Sequence, residues 1–228
     1  MSRTFEFGDE TQPVAETKDR ILDAAERLFA GQGYAATSLR QITSEAQVNL
    51  AAVNYHFQSK DSLILAVLMR KMKPLERRRL ELLDALEEAA GDGPLVLEDV
   101  LRALLVPVFE RKAAGGGLSP FPQLMGRMYS EPGDWVLQIF KRAIAGVAAR
   151  FLPALGRALP GMSRTEIAWG MHFSIGSMAH FLAAGVLLTH LSDGEADMSD
   201  GEAVVNRMVV FMSGGLRAMA ESRKEAAR

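Results

Sequence analysis

The chain has 228 residues and no cysteine among them. The absence of cysteine excludes a disulfide framework, a thiolate zinc site, an iron–sulfur cluster and a cysteine nucleophile, and it is compatible with a reducing cytosol. An excess of charge of one sign is also lacking, since 26 basic side chains stand against 28 acidic ones and the net charge is -2. Without a global basic field, any contact with nucleic acid must come from a local surface.

Targeting segments and membrane spans are lacking as well. The first ten residues carry several charged side chains and no apolar run, so they do not form a signal peptide. Residues 167–192 contain no charged side chain and are long enough to cross a bilayer. Because this stretch contains histidine, serine and threonine and stands alone late in the chain, a helix buried in a soluble protein explains it better. We therefore expect a cytoplasmic protein without membrane association.

Signatures of catalysis and of metal binding are missing too. The sequence has no Ser-His-Asp pattern, no phosphate-binding loop and no HExxH motif. His172 and His180 would lie about 80° apart around an ideal helix, and neither cysteine nor a nearby carboxylate completes a metal site with them. We predict that the protein is not an enzyme and uses no cofactor or metal. An enzyme acting on acyl thioesters would need a nucleophile and a base that the sequence does not bring together.

The chain does have a regular helical pattern. Its apolar fraction of 48% suffices for a sizeable core, and the apolar residues recur at the spacing of amphipathic helices, with no convincing strand or repeat. We predict an all-α fold with a flexible tail over residues 1–16, one helical domain over 17–72 and another over 73–228. Lys73–Pro74 sets the boundary, because proline disfavours helix in the residue before it. The uncharged stretch predicts one long helix over residues 167–191.

Residues 38–57 have the pattern of two short helices joined by a tight turn. Ser38, with Gln41 three residues later, forms a capping-box pattern for the first helix, and Asn49 is a good cap for the second. A short exposed helix fits the major groove of DNA while the preceding helix lies across the backbone. The segment therefore indicates a helix-turn-helix. Residues 14–73 contain 8 basic and 6 acidic side chains, so affinity for DNA would come from placement and dimerisation.

Apolar, glycine and capping residues recur at fixed spacing around this motif. They are Ile21-Leu-Asp-Ala-Ala25, Leu28-Phe29, Gly33-Tyr34, Thr37-Ser-Leu-Arg40, Ile42, Ala46, Val48, Asn54-Tyr-His-Phe57 and Ser59-Lys-Asp-Ser-Leu63. In these residues the chain resembles the N-terminal domain of TetR-family transcriptional regulators. The resemblance implies an all-helical homodimer whose first three helices bind DNA and whose variable C-terminal domain senses a small molecule. It also implies that the last two helices of each subunit form a four-helix dimer interface.

A second resemblance concerns the molecule that is sensed. Residues 49–57 and the segment Trp169-Gly-Met-His-Phe173 resemble a subgroup of the family that responds to fatty acids or their coenzyme A thioesters. A bulky aromatic or hydrophobic drug would suit the same apolar residues, so the identity of the effector stays open at this point.

The motif and the resemblance select ten candidate DNA-binding residues. They are Thr37, Ser38, Arg40, Asn49, Leu50, Ala51, Asn54, Tyr55, His56 and Lys60. Asn54 is suited to a bidentate contact with adenine and Leu50 to a thymine methyl, while most of the others suit phosphate contacts. Many family members carry lysine at the position of Leu50 and tyrosine at that of Asn54, so the operator cannot be copied from a relative. The alternative interpretations are helix capping for Thr37 and Ser38, a solvated surface charge for Arg40 and a brace of the turn for His56.

Ten candidate effector-binding residues lie in the second domain. They are Phe109, Phe121, Leu124, Met125, Arg127, Met128, Trp169, His172, Phe173 and Gly176. Ligand pockets combine apolar walls with few polar groups, and Arg127 could meet a carboxylate or phosphate. Plain core packing, or a solvated arginine in the case of Arg127, is the alternative for each of them.

These observations favour a ligand-responsive transcriptional regulator. We expect a repressor that binds palindromic operator DNA as a homodimer and is released by a small hydrophobic effector, such as a fatty acid or acyl-CoA. The expected partners are double-stranded DNA, a second copy of the chain and the effector. The alternative is a helical lipid-binding protein whose DNA module is not its main output.

Overall fold

The computed structural model describes residues 11–110, 124 and 134–226, and all regular structure within these residues is helical. The all-α prediction is therefore confirmed. The helices are α1 (Thr11–Gln32), α2 (Leu39–Ala46), α3 (Leu50–Phe57), α4 (Lys60–Ala90), α5 (Leu97–Glu110), α6 (Asp134–Ala158), α7 (Arg164–Ala184), α8 (Val186–Leu191) and α9 (Gly201–Ala226). Within this part of the chain, no helix combines the length and the apolar character needed to cross a membrane.

The N-terminal unit is built from α1, α2, α3 and the first turns of α4. Its core consists of apolar residues that recur at helical spacing and become fully buried, among them Ile21, Phe29, Ile42, Val53 and Leu63. Short helices such as α2 and α3 are marginal in isolation, so their burial against α1 and α4 supplies most of their stability. The unit thereby presents α3 on a rigid support.

The predicted caps fix where these helices begin. Ser38 and Gln41 form the capping box of α2, and the Asn49 side chain accepts a hydrogen bond from the Ala52 amide at the start of α3. Ser59 caps α4, and Ser163 forms a second capping box with Glu166 at the start of α7. The two predicted caps, at Ser38 and Asn49, are confirmed, because a cap depends on residues within one turn of each other.

The first helix begins earlier than the sequence pattern predicts. Residues 11–16, expected to belong to a flexible tail, form the first turns of α1. Pro13 lies within the first turn, where the backbone amide that proline lacks has no helical partner in any case. α1 ends just before Gly33, which has a φ of 86°, a conformation that glycine adopts readily.

The expected end of a helix at Lys73–Pro74 is wrong, because α4 runs through Pro74 without a break; the division of the chain into domains at residue 73 stays a prediction. A proline inside a helix costs about 3 kcal/mol or more. Packing offsets this cost, since α4 contacts α1 before the proline and both α5 and α6 after it. One continuous helix therefore joins the two domains that the sequence pattern separates.

The C-terminal unit is arranged around α5, which is buried along most of its length and contacts α4, α6 and α9. α7 packs against two of these neighbours of α5, namely α6 and α9. A Cβ atom at Gly170 would lie 2.2 Å from Leu216 Cδ2, so glycine leaves room for the Leu216 side chain where α9 packs on α7. The single helix predicted over residues 167–191 is instead two, α7 and α8, which meet at Gly185.

One ion pair joins α5 to α9 and gives the fold a pH dependence. Arg217 Nη2 donates to Glu98 Oε2 at 2.8 Å, and this hydrogen bond lowers the pKa of Glu98 to about 2. A carboxyl group with a depressed pKa stabilises the fold above its unfolded value near 4.5, and this contribution is lost as the pH falls towards 2.

We predict that Glu98→Gln removes this part of the acid dependence. Thermal melts of wild type and variant between pH 7 and pH 2 should converge as the pH falls from about 4.5 towards 2, because Glu98 becomes protonated first in the unfolded state and then also in the folded state. A constant difference in melting temperature across the whole range would contradict the assignment.

Candidate functional site

The segment from α2 to α3 forms a helix-turn-helix with one buried and one exposed face. Gln47 turns the chain with a φ of 53°, and Val53 and Phe57 face the core. Leu50, Ala51 and Asn54 are exposed on the opposite face of α3. This arrangement leaves an uninterrupted outer face of a short helix, the shape that enters a major groove.

The exposed face of α3 ends in two ring side chains. Tyr55 is 78% exposed, the highest fraction in α3 among the large apolar side chains, and it makes an edge-on contact with the His56 ring at a centroid distance of 5.1 Å. His56 is half-buried and also contacts the Phe57 ring. Tyr55 therefore lies accessible at the surface, while His56 packs between the Tyr55 and Phe57 rings and is only partly exposed.

Further polar groups lie beside α3. Ser38, Arg40 and Asn49 are exposed, and the Lys60 ammonium lies 4.1 Å from the centre of the Tyr34 ring. The Tyr34 hydroxyl in turn donates to Asp61. These contacts hold Lys60 at the start of α4, on the helix that follows α3.

Thr37 is the one candidate DNA-binding residue whose side chain the structure withdraws from the surface. It is 1% exposed, its hydroxyl donates to the Gly33 carbonyl at 2.7 Å, and it accepts from Gln32. A direct side-chain contact with phosphate is therefore wrong for Thr37, because the hydroxyl closes the loop after α1 instead.

The sequence pattern missed a residue that fixes the turn of the motif. Arg20, on α1, donates through Nη2 to the carbonyl of Ala46 at 2.6 Å and to that of Gln47 at 2.9 Å. The carbonyls at the end of a helix lack intrahelical donors, so Arg20 supplies what the short α2 cannot. A basic residue in the first half of α1 was the only sequence signal, and it resembles any solvated arginine.

We predict that Arg20→Met lowers the free energy of unfolding by about 1.5 kcal/mol, the lower end of the range for hydrogen bonds to a charged group, because Arg20 is exposed. Thermal and urea denaturation of the full chain measure it. Arg27→Met is the matched control, because Arg27 pairs with Glu45 on the surface at 2.8 Å and exposed pairs contribute little. If the two variants melt alike, Arg20 does not stabilise the turn between α2 and α3.

Comparison with known protein families gives two matches that together cover most of the chain. Residues 21–67 match the family described as bacterial regulatory proteins, tetR family. Residues 102–215 match the tetracyclin repressor-like C-terminal domain. The chain belongs to the TetR family. Regulators of the TetR family bind operator DNA as dimers through a helix-turn-helix and respond to small-molecule effectors.

Curated relatives support the same assignment. The HTH-type transcriptional regulator AcrR of Shigella flexneri is 28% identical over 156 residues, which cover 63% of this chain and 70% of that protein. The uncharacterised regulator YerO of Bacillus subtilis is 34% identical over 102 residues, 42% of this chain. The match covers 31% of YerO, so the chain spans about a third of the length of that relative.

Solved structures share the fold over nearly the whole chain. FadR of Bacillus subtilis in complex with stearoyl-CoA superposes with a TM-score of 0.58 at 14% identity, covering 85% of this chain and 96% of that one. A SmeT–triclosan complex gives a TM-score of 0.59 at 19% identity, covering 85% and 90%. At sequence identities this low, the two superpositions show that the TetR-family chain shares a fold with these proteins and nothing further.

The candidate effector residues that the structure describes do not form one wall in this TetR-family protein. Phe109 is buried in the C-terminal core and contacts the Phe181 ring at a centroid distance of 6.0 Å. Leu124 is 1% exposed but packs in the core of the N-terminal unit, so its prediction as pocket wall is wrong. Phe121, Met125, Arg127 and Met128 lie outside the described residues.

The four candidates on α7 lie on its exposed face, which contradicts their prediction as pocket wall. Trp169, His172, Phe173 and Gly176 are all exposed. Three of them form a ring cluster, in which Trp169 lies 5.5 Å from Phe173 and 6.3 Å from His172. The buried face of α7 is the opposite one from that predicted. Its buried residues are Ile167, Gly170, Met171 and Ser174.

A cleft of about 660 Å³ opens between α6 and the start of α7. Small and apolar side chains and one arginine line it: Ala145, Ala148, Ala149, Leu152, Pro153, Gly156, Met162, Arg164 and Ile167. It contains none of the ten candidate effector residues.

Proposed function

We propose that this TetR-family protein is a cytoplasmic repressor that binds palindromic operator DNA as a homodimer and is released by a small hydrophobic effector. The observation that carries the proposal is the exposed outer face of α3, formed by Leu50, Ala51, Asn54 and Tyr55 on a capped and clamped helix-turn-helix. Asn54 suits a bidentate contact with adenine and Leu50 a thymine methyl. Arg40 and Lys60 flank this face as phosphate contacts.

The apolar outer faces of α7 and α9 support dimerisation through these two helices. We define this dimer face by Trp169 and Phe173 on α7 and by Val210 and Phe211 on α9, which are all more than half exposed. Contiguous exposed apolar side chains of this size mark an interface. Gly214 and Gly215 continue the face with open space at their Cβ positions, so two copies of α9 can approach closely. A two-fold axis here would set the recognition helices about 34–36 Å apart.

Release by an effector requires a connection from the C-terminal unit to α3, and α4 supplies it. The helix runs unbroken from Lys60 beside α3 to Ala90 in the C-terminal unit. Arg70 and Lys71 tie it to α1 through the buried carboxylate of Glu26, at 3.0 and 3.2 Å. An effector that binds one orientation of α4 more tightly shifts the population towards that orientation and changes the spacing of the two recognition helices.

A fatty acid or acyl-CoA is the effector class that we propose. The C-terminal core is apolar and contains the Phe109–Phe181 ring pair, and the FadR structure of the same fold is a complex with stearoyl-CoA. Long apolar chains match such a core, and methionine side chains such as Met178 and Met208 adapt to flexible ligands.

Selection of operator DNA followed by footprinting tests the proposal. Purified full-length protein is used to enrich fragments of the source genome, and the enriched fragments are footprinted at moderate salt with and without palmitate and palmitoyl-CoA. We expect two protected half-sites, loss of protection with Arg40→Ala combined with Asn54→Ala, and release by one of the two lipids. Absence of sequence-specific protection would overturn the regulator proposal. Protection that neither lipid alters would overturn the effector class.

A further inference from the structure

Arg79 is the buried cation of the C-terminal unit. Among the residues whose burial the structure describes, it is the one lysine or arginine classed with the core, with 8% of its surface exposed. It lies on α4, beyond Pro74 and therefore on the part of the helix that packs against α5 and α6. Its Nε donates to the Leu104 carbonyl of α5 at 2.8 Å, and its Nη2 lies 3.8 Å from Met178 Sδ of α7.

The hydrogen bonds of Arg79 satisfy only part of its guanidinium. The group carries five N–H donors, yet within the described residues it meets one carbonyl oxygen and one thioether, which is a weak acceptor. No carboxylate in this part of the chain lies within 4.0 Å of it, and Glu76 acts on it only through space. Buried charges in proteins are otherwise paired, because an unpaired one costs several kcal/mol.

Other arginines of the chain show the usual solution. Arg70 pairs with Asp23 and Glu26, and Arg150 pairs with Asp84 and Glu87, while both keep part of their surface in water. Desolvation lowers the pKa of Arg79 to about 10, so it remains a cation at neutral pH. The described part of the fold thus keeps a charged guanidinium in its interior with Glu76 acting only through space and no carboxylate in direct contact.

The surroundings of Arg79 are apolar on two helices. Leu104 is buried, and Phe109, further along α5, contacts Phe181 on α7. Phe181 follows Met178 by one helical turn, so both side chains lie on the same face of α7. A molecule that reached Arg79 would meet a cation at one end and phenylalanine and methionine side chains beside it.

We propose that Arg79 binds the acidic head group of the effector, and that the effector is a free carboxylate with an apolar tail rather than a thioester. The inference rests on the proposed function, because it names the chemical class that the regulator senses. A carboxylate accepts two parallel N–H bonds from a guanidinium and supplies the missing charge. A neutral head group of the same length supplies no charge, so the site discriminates between them.

A purely structural role for Arg79 makes different predictions. In that role Arg79 only braces the Leu104 carbonyl on α5, next to the Ala103 carbonyl that loses its helical donor to Pro107. A brace of this kind uses only the Nε–H donor of Arg79. It gives no reason to bury the terminal N–H donors, for which the Met178 thioether is only a weak acceptor. Its loss would lower stability without changing the preference between a charged and a neutral ligand.

Calorimetric titration of the full-length dimer with decanoate and with 1-decanol separates these roles, since the two probes share a tail and differ in the head group. We expect wild type to bind decanoate at least tenfold more tightly than 1-decanol. Arg79→Met should weaken decanoate binding by roughly ten- to hundredfold, the range for a lost hydrogen-bonded charge, and leave 1-decanol unchanged. Arg79→Lys should fall between them, because it keeps the charge and loses the planar fork.

Arg78→Met is the matched control, because Arg78 is the exposed neighbour that pairs with Glu81 and Glu110 on the surface, and it should bind both probes as wild type does. Equal affinity of Arg79→Met and wild type for decanoate, or a wild-type preference for 1-decanol, overturns the role of Arg79 and leaves the proposed function standing. Failure of wild type to bind either probe overturns the acyl effector itself, and the inference with it. Comparing the two probes on wild type keeps the test valid even if a variant does not fold.

Discussion

Phe211→Asp is expected to convert the dimer into a monomer and to abolish tight operator binding. Phe211 is 73% exposed on α9, in the middle of the proposed dimer face. An aspartate there would bury two carboxylates near a two-fold axis, which costs several kcal/mol. Sedimentation velocity should show the dimer of the 24.9 kDa chain replaced by a monomer at micromolar concentration. Operator affinity should fall by at least about hundredfold, because one half-site alone must then provide the binding energy.

Phe211→Leu provides the control at the same position. It keeps an apolar side chain and should remain dimeric, with operator affinity close to that of wild type. If Phe211→Asp sediments as a dimer and binds the operator normally, the exposed faces of α7 and α9 do not form the interface.

Ala51→Glu is expected to eliminate operator binding while leaving the fold and the dimer intact. Ala51 is exposed in the first turns of α3, and glutamate is a good helix former, so the helix tolerates the change. A carboxylate in the groove faces phosphates and base edges without a partner, and juxtaposed like charges cost several kcal/mol. Fluorescence anisotropy with the selected operator should show a loss of at least about hundredfold.

The matched control for this prediction is Ala85→Glu. Ala85 is exposed on α4 in the C-terminal unit. The same substitution there changes the net charge by the same amount but places the new carboxylate away from α3. It should bind the operator within about twofold of wild type, since distant exposed charges are screened by salt. Equal losses in both variants would mean that net charge, and not the face of α3, controls binding.

Local features of this chain could be predicted from its sequence. The capping box at Ser38, the cap at Asn49 and the stop at Gly33 depend on residues within one or two turns, so the pattern contains the whole cause. The helix-turn-helix follows from them, because the two caps set the lengths of α2 and α3.

Features that depend on distant contacts could not be predicted in this way. Pro74 lies inside α4 because packing of three other helices outweighs its local preference. The exposed face of α7 was mistaken for its buried face, because an uncharged helix with aromatic residues on several sides has no clear polar side. Leu124 packs with the N-terminal core, whose other buried members all come from the stretch between Ile21 and Leu68.

Arg79 illustrates the same limit at the candidate site. It belongs to a run of three arginines, residues 77–79, which has the composition of a solvated helix face. The sequence pattern directed attention to Arg127 instead, since that arginine lies among apolar residues. Only the packing of α4 against α5 and α7 distinguishes the buried Arg79 from its exposed neighbours.

Native mass spectrometry of the protein with its selected operator fragment tests the central claim most directly. The mass of the complex reports how many copies of the chain bind each DNA fragment, and a second spectrum with the effector shows whether that number changes. We predict two copies of the chain on one operator, or a multiple of two, and their release when decanoate is added. A complex with a single copy, or one that decanoate leaves unchanged while it binds the protein, would contradict the account of an effector-released dimeric repressor.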